Sequence, residues 1–363
     1  MLSEVGSNFW ISPEETVAKK TANLSTSQFE CFGSDSVWFS TGRSAILYVL
    51  DTIEQRKQEV NKVVVLPPFT CHTVIEPFLS KGYEVHTYHV GKDLMSPIDE
   101  IRSIVNAVQP GVFLFHRFFG KDTIKGIDTI IPELKQKGII VIEDCTQCLY
   151  SSFKKSDADY FVGSIRKWCG VPDGGFAVCR EGVFKNKPTQ MDIALQNTKK
   201  EASVLKYEYL FKGKGDKSLF LNKYREAEDI LDAQNSYYTI SALSALIQNN
   251  LDIQHLIKRR RANYQVIESK LLECQNVKLV FEHIEEDEVP LYCPILCVER
   301  QKIQKTLVAN RIYAPVVWPK ADCCPEVDKD SEYVYEHILC IPIDQRYDED
   351  DMERVVEVIK SIE

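Results

Sequence analysis

No run of apolar residues in this 363-residue chain approaches the ~20 that a membrane-spanning helix needs. The opening segment, Met1 to Ile11, has neither a basic start nor a long apolar stretch, so no secretory signal is expected. Positive charge is not in excess: 44 Lys and Arg stand against 53 Asp and Glu, a net charge of -9, which disfavours nonspecific nucleic-acid binding. No Gly-x-Gly-x-x-Gly follows a strand-like run, which argues against a dinucleotide-binding dehydrogenase. Internal repeats and low-complexity segments are absent as well. The twelve cysteines are scattered. Cys145-Thr-Gln-Cys148 has redox spacing and Cys323-Cys324 are adjacent, but no second Cys-x-x-Cys or His pair accompanies them, so no metal site is expected. Cys179, Cys293, Cys297 and Cys340 fall in apolar strand-like runs and read as buried, reduced thiols of a cytoplasmic protein.

What the chain has is an ordinary globular balance, 44% hydrophobic and 27% charged, with ample length for a buried core. Residues 36–45 read as a short strand and a glycine turn leading into a helix to about Lys57, with the apolar stripe Ile46, Leu47, Leu50 and Ile53. Pro13-Glu-Glu reads as another helix start. Strands are expected over 63–66, 83–88, 112–115 and 139–142, alternating with helices over 70–81, 97–108 and 127–137. Such alternation implies crossover connections and a largely parallel sheet. The strand over 160–163 is followed so closely by the one over 175–179 that the latter is expected to be antiparallel. Residues 181–225 are polar and lysine-rich and read as a mobile loop or interface arm around Lys212–Lys217. Helices are expected over 240–249 and 253–272, the second carrying Lys258-Arg-Arg-Arg261 as a solvated face. Strands over 277–281, 292–298, 314–318 and 338–343, with helices over 300–309 and 350–362, read as a smaller α+β domain. The expected division is a large α/β domain over 1–240 and a small C-terminal domain over 241–363.

Ligands of parallel α/β sheets bind at the carboxyl ends of the strands. Thr41-Gly42, Phe69 to His72, His116 and Asp144 fall there. Asp144 ends an aliphatic strand, the place for an anion that keeps a pyridine nitrogen protonated, and a protonated ring accepts electrons from a substrate carbanion. Lys167 follows Ser164 by three residues and precedes Asp173-Gly-Gly175. A neighbouring cation, here Arg166, favours the neutral amine that forms a Schiff base with an aldehyde cofactor. Ser164 can offer a hydroxyl to a cofactor phosphate, and the helix beginning near Gly42 offers backbone N–H groups to an anion.

The order of these pieces resembles the fold type I pyridoxal-phosphate enzymes, and more narrowly the DegT/DnrJ/EryC1/StrS aminotransferases. The matching stretches are Thr41-Gly-Arg-Ser-Ala45, Leu66-Pro-Pro-Phe-Thr-Cys-His-Thr73, His116-Arg-Phe-Phe-Gly120, Ile142-Glu-Asp-Cys-Thr-Gln147, Ser164-Ile-Arg-Lys167 and Asp173-Gly-Gly175. Arg311-Ile-Tyr-Ala-Pro315 with Trp318-Pro, and Ile341 to Tyr347, resemble the family's small domain. The resemblance implies pyridoxal 5'-phosphate as cofactor, Lys167 as the Schiff-base lysine and proton shuttle, and Asp144 as partner of the ring nitrogen. Gln147 would contact the ring oxygen, and Gly42, Arg43, Ser44 and Ser164 would line the phosphate cup. Asn235 would reach the phosphate of a neighbouring subunit, implying a homodimer with active sites at the subunit interface. Glutamate is the implied amino donor, and the acceptor a keto sugar, nucleotide-linked or not, or another small carbonyl compound. A pyridoxal-phosphate lyase and a noncatalytic cofactor-binding regulator are the alternatives; the retained Lys167 and Asp144 argue against the latter. Three positions depart from the pattern. Cys71, next to His72, stands where an aromatic ring usually covers the cofactor; Asn235-Ser-Tyr237 lacks an arginine; and Arg43 replaces a small hydroxyl residue.

Overall fold

The computed structural model describes residues 4–12, 15, 32–56, 59–234, 236–325 and 327–362. In chain order the strands and helices are β1 (Val5–Gly6), β2 (Asp35–Phe39), α1 (Gly42–Arg56), β3 (Val63–Leu66), α2 (His72–Ser80), β4 (Glu84–Thr87), α3 (Ile98–Val108), β5 (Val112–His116), α4 (Ile127–Gln136) and β6 (Ile140–Asp144). They continue with β7 (Tyr160–Ser164), β8 (Gly175–Cys179), α5 (Ile193–Lys212), α6 (Lys217–Asp232), α7 (Ala242–Asn249), α8 (Ile253–Leu271), β9 (Val277–Leu279), β10 (Cys293–Cys297), α9 (Arg300–Ala309), β11 (Ile312–Tyr313), α10 (Lys329–His337), β12 (Ile338–Ile341) and α11 (Glu349–Lys360). None of the described helices is long and apolar enough to cross a membrane. The helix expected from Pro13 falls largely outside the described residues.

The chain forms two compact units interleaved in sequence, one of residues 1–7, 60–158 and 252–363, the other of residues 8–59 and 159–251. In the first unit, β3 pairs in parallel with both β4 and β5, and β5 pairs in parallel with β6. This is the expected α/β alternation. Val64, Val65 and Leu66 and all of β5 and β6 are buried, as aliphatic strands covered on both faces should be, whereas β4, with its exposed Glu84, is buried poorly. The same unit contains the antiparallel sheet β9-β10-β12. Helices α8, α9 and α11 bring Tyr264, Ile267, Leu307, Met352, Val355 and Ile359 to its core.

Two expectations fail in this unit. Residues 314–318 are not a strand. Val317 has a φ of +67°, a left-handed conformation that a β-branched residue in an extended strand cannot hold. The local pairing goes instead to Ile312 and Tyr313, which meet β1 in parallel. The basic run on α8 is also not uniformly solvated. Arg260 is fully buried; its guanidinium donates to the Leu291 carbonyl at 2.8 Å and to Gln345 Oε1 at 3.1 Å. Arg261 donates to the carbonyls of Glu285 and Glu288. Lys258 is exposed, and Arg259 behaves as a surface residue of the kind expected, pairing with half-exposed Glu349 at 2.6 Å.

In the second unit, β8 lies between β2 and β7 and is antiparallel to both, as the short link after Lys167 requires. Of the expected α1 stripe, Ile46, Leu50 and Ile53 are buried, but Leu47 is only half-buried, and Tyr48 and Val49 are buried with the others. The polar segment is largely helical, with the loop expected at Lys212–Lys217 as the short link inside it. Residues 193–232 form the α5–α6 hairpin, and only Gly213 to Asp216 connect its helices. Asp192 and Asp216 cap the two N-termini, accepting from Leu195 N at 2.9 Å and Ser218 N at 2.6 Å, and Gly213 ends α5 in a left-handed conformation. Leu195, Ala227 and Leu231 form one apolar contact between the helices, and Ala202, Phe220 and Tyr224 a second.

Replacing Arg260 with alanine is expected to destabilise the protein by about 2–4 kcal/mol, because it strands the carbonyl of Leu291 and Gln345 in the core. Arg259→Ala should cost under ~1 kcal/mol. Urea unfolding of both variants checks the contrast, and equal losses would contradict the buried role of Arg260.

Candidate active site

In the first unit the site is assembled at the carboxyl ends of β3, β5 and β6. Parallel register places His116, the last residue of β5, beside Asp144, the last of β6. His116 is buried, with Nε2 3.2 Å from Thr70 Oγ1 and Nδ1 3.4 Å from Gln147 Nε2. The Phe119 N–H donates to Gln147 Oε1 at 3.0 Å, which fixes the amide so that its nitrogen faces the imidazole. An amide N–H can only donate to a bare ring nitrogen. His116 is therefore neutral, with its proton on Nε2 pointing at Thr70. Burial pushes the same way, taking its pKa down to about 3. Burial also pushes the Asp144 carboxyl up, against the opposing hydrogen bond from Thr146 N to Oδ1 at 2.8 Å.

The residues beside this pair form a buried brace. Arg117, directly after His116, bonds Glu143, directly before Asp144, and its Nε also holds Asp122 at 2.8 Å. Ser156 Oγ donates to the other oxygen of Glu143 at 2.5 Å. An aromatic group adjoins it: the His116 ring meets Phe118 edge-on at 4.5 Å and Trp318 at 5.7 Å, and Trp318 also contacts Phe69 and Phe119. Gly120 is required here, since a Cβ would sit 1.9 Å from the Val289 carbonyl.

Cys71 is half-buried at the N-cap of α2, where its thiol accepts from Thr73 Oγ1 at 3.1 Å, and His72 next to it is exposed. Gln147, expected at a cofactor oxygen, is buried with its amide spent on Phe119 and His116. The thiols of Cys145 and Cys148 and the Glu143 carboxylate lie within 4.8 Å of one another. Glu143 is already engaged by Arg117 and Ser156, and the hydrogen bond between the Cys145 and Cys148 thiols, together with burial, pushes the Cys145 thiol far above its usual range. That is the chemistry of a protonated, inert thiol at Cys145.

In the second unit the residues expected at a phosphate gather at one end of β2-β8-β7. Thr41 caps α1: its Oγ1 accepts from Ser44 N at 3.0 Å and donates to Ser44 Oγ at 2.9 Å. Gly42 is the first residue of the helix, so its N–H is among the donors that have no acceptor within the helix itself. The Arg43 side chain runs to the end of α6, donating to the Leu231 carbonyl at 2.9 Å and pairing with Asp232 at 3.2 Å. Ser164 ends β7 and its hydroxyl donates to the Gly174 carbonyl at 3.0 Å. Lys167 closes a single 3-10 turn, Ile165–Lys167, and is exposed. Gly175 allows the close approach the sequence suggested: a Cβ there would lie 2.2 Å from the Thr41 carbonyl. Asp173 anchors this turn, accepting from the Ser241 N–H and from the hydroxyls of Ser241 and Ser244. Asn235 lies outside the described residues.

Sequence reading placed His116 and the segment Phe69 to His72 at strand ends but gave His116 and Thr70 no role. The signal for His116 was its position level with Asp144.

The residues fit pyridoxal phosphate unit by unit. A buried, uncompensated carboxyl beside a neutral imidazole suits a protonated ring nitrogen, and capped-helix N–H groups with a glycine-lined turn suit a phosphate. The state of His116 also predicts how stability responds to acid. Its folded pKa lies below the unfolded value, so its contribution is complete above about pH 6.5 and is lost as pH falls toward 3, with a slope near 1.4 kcal/mol per pH unit at most. His116→Gln should flatten that dependence in denaturation midpoints measured between pH 6.5 and 4.5; an unchanged slope would place the imidazole elsewhere.

Comparison with known proteins places these features in context. Residues 231–360 match the model of the DegT/DnrJ/EryC1/StrS aminotransferase family. No curated protein matches the sequence significantly. Among solved structures, the chain is similar to the sugar aminotransferase CalS13 from Micromonospora echinospora, with a TM-score of 0.69 at 16% identity over 100% of both chains. It is also similar to PseC of Helicobacter pylori, an aminotransferase involved in the biosynthesis of pseudoaminic acid, with a TM-score of 0.70 at 13% identity over 99% of each. The family pattern thus appears in the C-terminal third, apart from the motifs around Lys167 that first suggested it, and the whole chain has the fold of these aminotransferases.

Proposed function

We propose that the protein is a pyridoxal-phosphate-dependent aminotransferase that moves an amino group from a donor, glutamate by family habit, to the carbonyl of a keto sugar or a similar small acceptor. The observation that carries this reading is the buried Asp144 at the carboxyl end of a parallel strand, in a chain whose Lys167 follows in the expected motif order. The alternative of a noncatalytic cofactor carrier leaves the retained lysine and aspartate without purpose. A nucleotide-linked sugar belongs to the same reading, as does a homodimer in which Asn235 reaches a second subunit. The eleven free cysteines among the described residues suit a reducing cytoplasm.

The cofactor, when bound, supplies an electron-accepting ring that stabilises negative charge on the substrate carbon. Lys167 Nζ would hold its aldehyde and, as the free amine, would serve as the base that moves the proton at that carbon. Asp144 keeps the ring nitrogen protonated; a cation at that place would draw the carboxyl back down from where burial holds it. Neutral His116 does not compete for that charge. The N–H groups of Gly42 and Arg43 and the hydroxyls of Ser44 and Ser164 take the phosphate.

Borohydride reduction of protein incubated with pyridoxal phosphate should fix the cofactor on the peptide carrying Lys167, read by mass spectrometry. Lys167→Ala should lose both this label and transamination. Turnover of an amino donor at the wild-type rate by Lys167→Ala would refute the assignment.

A further inference from the structure

We propose that Thr70 donates a hydrogen bond to the ring oxygen of the bound cofactor, with Gln147 and His116 as the positioning residues that hold its hydroxyl for that task. The inference deepens the pyridoxal-phosphate reading and rests on it. It concerns the ring end of the cofactor, in the first unit, where the strand register sets His116 level with Asp144.

Three hydrogen bonds in series run through this end of the sheet, and each fixes the direction of the next. The Phe119 N–H donates to Gln147 Oε1 at 3.0 Å, so the amide nitrogen faces His116. That nitrogen donates to His116 Nδ1 at 3.4 Å, which leaves Nδ1 without a proton of its own. The proton of the neutral imidazole is therefore on Nε2 and goes to Thr70 Oγ1 at 3.2 Å. The series starts at a backbone N–H, which can only donate, so it cannot run the other way. At its end Thr70 accepts, and no described residue accepts the proton of its own hydroxyl. Thr70 is only 2% exposed. A buried hydroxyl with an unspent proton calls for an acceptor.

The Thr70 backbone is held as well. Its N–H donates to the Tyr335 hydroxyl at 3.3 Å, and that hydroxyl donates to the Pro68 carbonyl at 2.9 Å. Both the main chain and the accepting side of the hydroxyl are thus fixed just past the carboxyl end of β3.

The polar groups of the cofactor decide which acceptor suits this donor. The protonated ring nitrogen needs an acceptor, and Asp144 is one. The aldehyde belongs to Lys167 and the phosphate to the turn at Gly42. The ring oxygen is the group that remains, and an oxygen carrying negative charge needs a donor. Thr70 offers one without adding a charge to the ring. Gln147, expected at that oxygen, then acts one step removed, through the imidazole.

Binding is the property to measure. Full-length protein is freed of carbonyl cofactor with hydroxylamine and dialysis, then titrated by calorimetry with pyridoxamine 5'-phosphate and with its 3-deoxy analogue, which lacks the ring oxygen. Neither ligand can form a Schiff base with a lysine. Thr70→Val should weaken pyridoxamine phosphate about five- to tenfold, the worth of one hydrogen bond, and leave affinity for the 3-deoxy analogue unchanged. Thr70→Ser, which keeps the hydroxyl, should bind both ligands as wild type does. Thr70→Ala removes the same hydroxyl and should repeat the Thr70→Val pattern even if the valine variant folds poorly. Equal losses for the two ligands would make Thr70 a structural residue and overturn the proposal. So would an unchanged affinity for both, above all if Gln147→Met then weakened pyridoxamine phosphate alone. The wild-type protein decides the cofactor reading separately. If it binds neither ligand, that reading fails and takes this proposal with it; if it binds both and Thr70→Val does not tell them apart from wild type, the assignment of Thr70 falls alone.

Discussion

The ends of β5 and β6 depend on one buried ion pair. Arg117 and Glu143 are both withdrawn from water, with 3% and 0% of their side chains exposed. Taking two such charges out of water costs more than an ordinary contact returns, and the pair is tolerable only because Asp122 and Ser156 complete its hydrogen bonding. What the pair fixes matters more than what it adds in stability. Arg117 follows His116 and Glu143 precedes Asp144, so the brace ties together the two backbone segments that present the imidazole and the carboxyl. Removing one partner would leave a lone buried charge next to the site. The geometry of His116 and Asp144 is thus set by residues that need not touch a ligand.

Around this brace, electrostatics are arranged by burial more than by pairing. His116 is kept neutral by its apolar surroundings and by the Gln147 amide, and the Asp144 carboxyl is kept short of a compensating charge. In the other unit the balance is reversed, and cations crowd a single carboxylate.

Much of this was legible in the chain because the pieces are local. Strands β3, β5 and β6 announce themselves as short apolar runs, and the helices between them by length and period. The antiparallel β8 followed from the shortness of its link. The failures have a common physical cause, since the deciding partner lies far away in sequence. Arg260 looks like a surface residue until the carbonyl of Leu291 and the amide of Gln345 close over it. The α5–α6 hairpin is rich in lysine and glutamate, which hide the stripe Phe220, Tyr224, Ala227 and Leu231 that α6 packs against α5, and two aspartate caps start its helices. Trp318 looked like part of a strand, yet the left-handed Val317 before it turns the chain so that the indole joins His116 and Phe69. Lys167, Asp144 and the segment Phe69 to His72 were singled out through order and spacing, whereas the contact of Lys199 with Glu228 is made by folding alone.

The interleaving of the two units bears on how the protein comes to exist during synthesis. Residues 60–158 leave the ribosome well before 252–363, yet they share one compact unit. Gly120 waits for the backbone of Val289, Phe69 for Trp318, and the Pro68 carbonyl for the Tyr335 hydroxyl. An aliphatic parallel sheet must therefore stand partly uncovered while another unit's worth of chain is made. Such long-range closure is slow and exposes sticky strands in the meantime. The nascent protein is thus a natural client for chaperones that shield apolar surface, and its dependence on them should end only when the last hundred residues are free to fold back.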